Sequence, residues 1–255
     1  DEIIAADNKF DPAEEKIQLV IDRLGLSSVQ HFDPNKKIIE YIIKEEENLP
    51  LANLTTKDFI KEVANRTSAP GGGSASALIA AIGVGLGSMV ARLTQGVRKF
   101  EDVEDKMRKI IPALYETTNK LIPMIDADTN AFNDYIVALR LPKNTEKEKK
   151  IRQDKMQDGL KKAIEVPLTT MKIADSIWEE MSECAKYGNI ASKSDVEVGA
   201  KALETGIWGA YKNVLINLPG IKDEEFKEKI KNEAEIILNR ANENFNKVIK
   251  ILNDR

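Results

Sequence analysis

Apolar residues recur at three- and four-residue spacing through most of this 255-residue chain, and alternating β-branched runs are scarce. That periodicity belongs to helices with one buried face. It predicts a helix over 13–24, stopped by Gly25, and a shorter one within "HFDPNKKIIEYIIKEEE". "NLPLANLTT" (48–56) reads as a linker, with Thr55 as N-cap of a helix over 56–66. An uncharged helix over 74–95 follows a glycine turn, then a long helical stretch to Leu141 bent at Pro112 and Pro123. Thr145 and Glu148 have capping-box spacing and open a helix to about Tyr187, with a break near Pro167. Ser194 and Glu197 repeat that spacing before a helix over 195–218, and a last helix runs from Asp223 to the end. The sum is an all-α bundle of long antiparallel helices with a central glycine- and alanine-rich buried helix. The domain boundary falls in the linker, giving 1–53 and 54–255.

From Thr67 to Ala91 no residue is charged, although 31% of the chain is. Three structures compete for this run. It is long enough to span a membrane, but it is rich in Gly, Ser, Ala and Thr and lacks an aromatic belt and basic flank. "PGGGS" lacks the lysine spacing and preceding strand of a phosphate loop. The third is a core helix covered all round, in which Ala80, Gly83, Gly87 and Ala91 let a neighbour approach closely, within the subunit or across a dimer. Pro70 then leads into the turn Gly71, Gly72, Gly73, with Ser74 at the N-cap. Its free N–H groups suit an anion; equally, they suit a serine-capped turn with nothing bound.

Composition narrows the chemistry. Net charge is −4 and the pI about 5.4, so nothing favours nucleic acid. One histidine, His31, and one cysteine, Cys184, leave no multi-histidine metal site, disulfide or histidine triad in the main domain. Acid–base work falls to carboxylates, lysines or tyrosines. The acidic opening "DEIIAADNKFDP" does not read as a signal peptide, so a cytoplasmic protein is expected.

One carboxylate stands out. Leu121, Ile125, Asp128, Phe132, Tyr135 and Leu139 form one helical stripe, apolar in bulk except for Asp128. Asp126 falls instead with Thr129, Asn130 and Asn133 on a polar, solvated face. An aspartate enclosed by apolar groups has a raised pKa and suits a general acid; the same pattern fits an aspartate that pairs with a lysine or caps a backbone group. Arg92, Arg98, Lys99, Lys143 and Asn144 are polar candidates nearby or ordinary surface and loop groups. Asn213 and Asn217 continue the line of Gly206 and Gly209, marking a pocket edge or a close helix crossing. Trp178, Trp208 and Tyr211 read as core.

"APGGGSASALIAAIGVGLGSMV", "MIDADTNAF", "LPKNTEKEK", "GNIASKSD" and "AKALETGIWGAYKNVLINL" occur in that order. From about Leu54 onward the chain resembles the cyclodeaminase domain of bifunctional formimidoyltransferase-cyclodeaminases and the related single-domain methenyltetrahydrofolate cyclohydrolases. "EEKIQLVIDRLGLSSVQHFDPNKKIIEYII" resembles the end of the transferase half; its catalytic body is absent, so formimidoyl transfer to glutamate is not expected. The resemblance implies a homodimer or higher homo-oligomer that converts 5-formimidoyltetrahydrofolate to 5,10-methenyltetrahydrofolate and ammonia. It implies no metal, no cofactor beyond the folate substrate (polyglutamylated or not), no nucleic acid and no membrane. The family's catalytic aspartate falls on Asp128. Gly71, Gly72, Gly73, Ser74, Arg92, Lys99, Phe132, Lys143, Asn213 and Asn217 are the expected substrate contacts. Cyclohydrolase activity and a non-catalytic dimerisation module are the alternatives.

Overall fold

The computed structural model describes residues 49–255, together with Arg23 and Leu24. The helices expected over 13–24 and 31–47, and His31, lie outside the described residues, those two positions apart. The chain divides at Leu49 and Pro50, and the fold below is that of the C-terminal unit.

That unit is all-helical, as the periodicity predicts. Its α-helices are α1 (Thr56–Ala64), α2 (Gly72–Thr94), α3 (Glu104–Leu139), α4 (Glu146–Asp175), α5 (Trp178–Tyr187), α6 (Lys193–Asn217) and α7 (Glu224–Asn253). Short 3-10 turns at Arg98–Val103, Ile190–Ser192 and Leu218–Gly220 join neighbours. Local chemistry sets several starts. Thr55 accepts the Asp58 N–H at 3.1 Å, Thr145 and Glu148 form a reciprocal capping box, and Asp223 accepts the Phe226 N–H at 3.0 Å. The box expected at Ser194 and Glu197 does not form: the 3-10 turn feeds α6 directly, and Ser192 occupies the cap without a side-chain bond.

The break expected near Pro167 does not fall there. α3 continues through Pro112 and Pro123, and α4 through Pro167. A proline forfeits one backbone hydrogen bond, but Pro167 sits among buried Ile164, Leu168 and Met171, whose packing holds the helix together. The break falls later, where the Ser176 hydroxyl donates back to the Ile173 carbonyl at 2.8 Å and Ile177 leaves helical geometry.

α2 is the hub, packing most extensively on α6 and α3. It runs antiparallel to both. The α2–α6 crossing rests on absent side chains. A Cβ at Gly83 would stand 2.7 Å from the Gly199 carbonyl oxygen and the Leu203 nitrogen, and one at Gly206 would stand 2.7 Å from Ala80 Cβ. Gly87 makes room for Met181 of α5. The small-residue stripe therefore packs within the chain. Around it Met107, Leu114, Leu121, Ile164, Met171, Met181, Leu203, Ile207 and Leu252 are fully buried. Two expectations change. α2 is not covered all round, because Ile82, Met89 and Leu93 are exposed along one face. Trp208 is 49% exposed, while Trp178 and Tyr211 are core.

Candidate active site

The glycine turn meets α3 at one carboxylate. α2 begins at Gly72, with Gly71 rather than Ser74 at its N-cap. No side chain of the turn itself caps it. The oxygen comes from 54 residues further on: Ser74 N–H donates to Asp128 Oδ2 at 3.0 Å. First-turn N–H groups have no partner within their own helix, and a carboxylate there also meets the positive end of the helix dipole. The expectation of Ser74 as the cap is thus corrected. Glycines leave the turn without a side-chain acceptor, and Asp128 supplies one from α3.

Gly73 explains how the carboxylate comes so close. A Cβ at this position would lie 2.0 Å from Asp128 Oδ1 and 2.4 Å from Oδ2. The carboxylate therefore lies against bare backbone. The Ser74 hydroxyl, fully buried, stands 3.5 Å from Oδ2 and 3.1 Å from Thr129 Oγ1. Asp128 is half-buried. Burial pushes its carboxyl above the usual carboxylate range, while the Ser74 N–H and hydroxyl pull it partly back.

α6 closes the other side. Asn213 lies over Gly72, its Nδ2 3.2 Å from where a Cβ there would stand, and that Nδ2 donates to the Gly209 carbonyl at 2.8 Å. Ser76 donates to the Gly72 carbonyl at 2.5 Å beside Gly209. Asn217 faces elsewhere: its Nδ2 donates to the Ala163 and Asn213 carbonyls at 3.1 Å, tying α6 to α4. Phe132, one turn beyond Asp128, is half-buried. Tyr135 is occupied in the α3–α4 joint, pressed against Gly159.

Asp126 departs from its expected place. It is 2% exposed, not solvated, and accepts the Leu51 and Ala52 N–H groups at 2.8 and 2.9 Å. The segment before α1 thereby lies on α3, where Leu51 and Ala52 pack on Phe59, Ala77 and Ile125. The two aspartates do point apart, as the helical spacing predicts, and each receives backbone donors from a distant segment.

The basic candidates do not gather at Asp128 within the chain. Arg92 is in the last turn of α2, about 30 Å along the axis from Gly72 at 1.5 Å per residue. Its guanidinium lies 6.0 Å from the Tyr115 ring centroid, in an α2–α3 groove with Met89 and Thr118. Lys99 is exposed beyond that end, over the Phe100 ring. Lys143 is exposed in the α3–α4 loop. The sequence reading missed Thr129 and Ser76 as neighbours of the turn, while Gly209, read as marking a pocket edge or helix crossing, does pack on Ser76. Only Thr129, one residue after Asp128, carried a usable signal.

A family profile described as Formiminotransferase-cyclodeaminase matches residues 55–236, and one described as Formiminotransferase domain matches residues 3–44. A formimidoyltransferase-cyclodeaminase of Dictyostelium discoideum is 50% identical over 258 residues, covering 100% of this chain and 47% of that protein. A methenyltetrahydrofolate cyclohydrolase of Methylorubrum extorquens is 34% identical over 189 residues, 74% of this chain and 91% of that protein. The crystal structure of formiminotetrahydrofolate cyclodeaminase from Thermotoga maritima matches with a TM-score of 0.71 at 29% identity, over 79% of this chain and 97% of that one. The chain spans about half the length of the bifunctional relatives it matches. With the same helical architecture and a profile covering most of its length, the chain belongs to the formiminotransferase-cyclodeaminase family.

Proposed function

We propose that the unit from Pro50 to Arg255 forms a cyclodeaminase that converts 5-formimidoyltetrahydrofolate to 5,10-methenyltetrahydrofolate and ammonia in the cytoplasm, with the residues before it resembling the end of a formimidoyltransferase. The observation that carries this is the half-buried Asp128 carboxyl, raised in pKa and laid on Gly73 at the start of α2. N10 of the folate adds to the formimidoyl carbon on N5. The imine nitrogen gains one proton as this bond forms and a second as its bond to carbon breaks, and it leaves as ammonia. One of these protons is N10's own. Asp128 in its acid form donates the other, and the product is the methenyl cation. Ring closure is intramolecular, so holding N10 near the carbon supplies much of the rate. The turn Gly71–Ser74, Phe132 and Asn213 form the wall around the reacting centre.

The partner in this reading is a second copy of the chain. Ile82, Met89 and Leu93 form an exposed apolar face on a helix whose opposite side is buried. An antiparallel crossing of two α2 helices about their midpoints covers that face. It also carries Arg92 of one copy toward the glycine turn of the other, where its cation can hold a folate carboxylate. Light scattering tests the dimer, and Ile82→Glu should yield monomer.

Ammonia release and methenyl absorbance, followed with 5-formimidoyltetrahydrofolate, test the function. Asp128→Asn should lower turnover about 100-fold or more, the usual contribution of a general acid. Near-normal turnover in a folded Asp128→Asn protein overturns the assignment. The cyclohydrolase match supports a second reading, hydrolytic opening of the methenyl ring. Loss of methenyl absorbance without ammonia chemistry distinguishes it.

A further inference from the structure

The proton on Asp128 is confined to one oxygen. Ser74 N–H donates to Oδ2 at 3.0 Å, and the Ser74 hydroxyl lies 3.5 Å from the same atom. A backbone N–H can only donate, so Oδ2 stays an acceptor and the acid proton sits on Oδ1, over Gly73. Ser74 is fully buried, and its hydroxyl has a second neighbour, Thr129 Oγ1 at 3.1 Å. Thr129 breaks the pattern set by other helical threonines. Thr94, Thr118 and Thr170 each donate back to the carbonyl four residues earlier, at 2.7, 2.9 and 3.1 Å, the usual partner of a hydroxyl inside a helix. Thr129, in the middle of α3, reaches across to α2 instead. Acceptor strength sets the direction of the pair. A carboxylate accepts more strongly than a hydroxyl, so Ser74 gives its hydrogen to Asp128 and Thr129 gives its own to Ser74.

We propose that Thr129 is a positioning residue for the acid: by donating to Ser74 it holds that hydroxyl on Asp128 Oδ2, and so supports the carboxylate left when Oδ1 gives its proton away. The inference rests on Asp128 as the proton donor of the reaction. No proton travels along the two hydroxyls. The Oδ1–H bond breaks, the leaving nitrogen takes the hydrogen, and the charge left on the carboxylate meets donors already in place. Each donor in a chain of hydrogen bonds polarises the next, so loss of the Thr129 hydroxyl weakens the Ser74 bond without removing it. The groups facing Asp128 bring no charge to mask this. α2 carries no charged residue before Arg92, and α6 presents the uncharged Asn213. Lys212 of α6 lies over the Trp208 and Tyr211 rings at 5.5 and 5.4 Å, and Asp126 of α3 is turned to Leu51 and Ala52. Burial and the two Ser74 bonds are what act on the Asp128 carboxyl.

Titration of the Asp128 carboxyl carbon by NMR tests this on the full chain without substrate, with Asp128→Asn identifying the signal. Thr129→Val keeps the shape of the side chain and removes the hydroxyl. Its midpoint should move to higher pH, because the carboxylate loses support, and Thr129→Ser should restore the wild-type midpoint. Since Thr129 acts through Ser74, Thr129→Val should move the midpoint no further in a Ser74→Ala background, which keeps the N–H bond. With 5-formimidoyltetrahydrofolate, Thr129→Val should lower the rate on the acid plateau about fivefold, the size of one neutral hydrogen bond, and shift the falling limb the same way as the NMR midpoint. Should the valine variant not fold, Thr129→Ala carries the same test. An unmoved midpoint in the folded variant, whatever its melting temperature, overturns the inference. So does a serine variant that fails to restore the midpoint, or a shift of equal size without the Ser74 hydroxyl. Near-normal turnover in Asp128→Asn overturns the acid reading itself, whereas lost turnover there with an unmoved Thr129→Val midpoint overturns this inference alone.

Discussion

Asp128 Oδ1 lies 2.0 Å from the point a Cβ on Gly73 would occupy, so the position of the carboxylate depends on the absence of a side chain there. The helix start and the acid are one unit: bare backbone on one side, the Ser74 N–H at 3.0 Å on the other.

Gly73→Ala should therefore displace Asp128 and lower turnover about 100-fold, comparable to losing the acid itself. The melting temperature should fall less than in Gly83→Ala. There the new methyl meets rigid backbone of α6 at 2.7 Å instead of a movable side chain, and overpacking of that kind costs about 1–3 kcal/mol. Comparing turnover with thermal denaturation for the two variants separates the site from the scaffold. Equal activity losses for equal stability losses would refute the distinction.

Asp128 also sets two pH dependences. Its carboxyl binds a proton more tightly in the folded chain than in the unfolded one, where 3.8 is its ordinary value. Its contribution to stability is thus full below that ordinary value and is lost as pH rises through the raised one. Relative to Asp128→Asn, wild-type protein should lose melting temperature across that interval and level off above it. The rate should fall over the same range as the acid form disappears. A flat difference between the two proteins would contradict the shift.

Removing Asp126 is a structural experiment. Asp126→Ala leaves the Leu51 and Ala52 N–H groups without their acceptor, at about 1–3 kcal/mol for each group that stays buried. Limited proteolysis should then cut near residues 50–54 while the helices survive. Asp126→Asn keeps one acceptor oxygen and should resist cleavage better than the alanine variant.

Cys184 should be inert until the chain unfolds. It is 1% exposed, and burial, reinforced by Glu180 and Glu183, pushes its thiol up to about 12. Titration with a thiol-reactive chromophore should show labelling only as denaturant unfolds the bundle. Fast labelling of native protein would show that α5 opens readily.

Much of this protein is local, and that part is legible from residue order alone. The helices follow from periodicity because each must bury one face. The caps at Thr55 and Thr145 follow because a side-chain oxygen needs to reach only three residues. The singularity of Asp128 on its stripe follows for the same reason. What tertiary structure decided is what those faces and termini meet. Asp126 and Asp128 are two residues apart, yet only the chain's return places Leu51 and Ala52 on one and Ser74 on the other. Pro167 was a break by local rule but not in α4, because packing outweighs one lost hydrogen bond. Arg92 belongs to the same helix as the glycine turn, yet the length of that helix keeps it from Asp128. Periodicity carries direction around a helix axis, whereas contact between segments 50 or more residues apart depends on how the whole bundle closes.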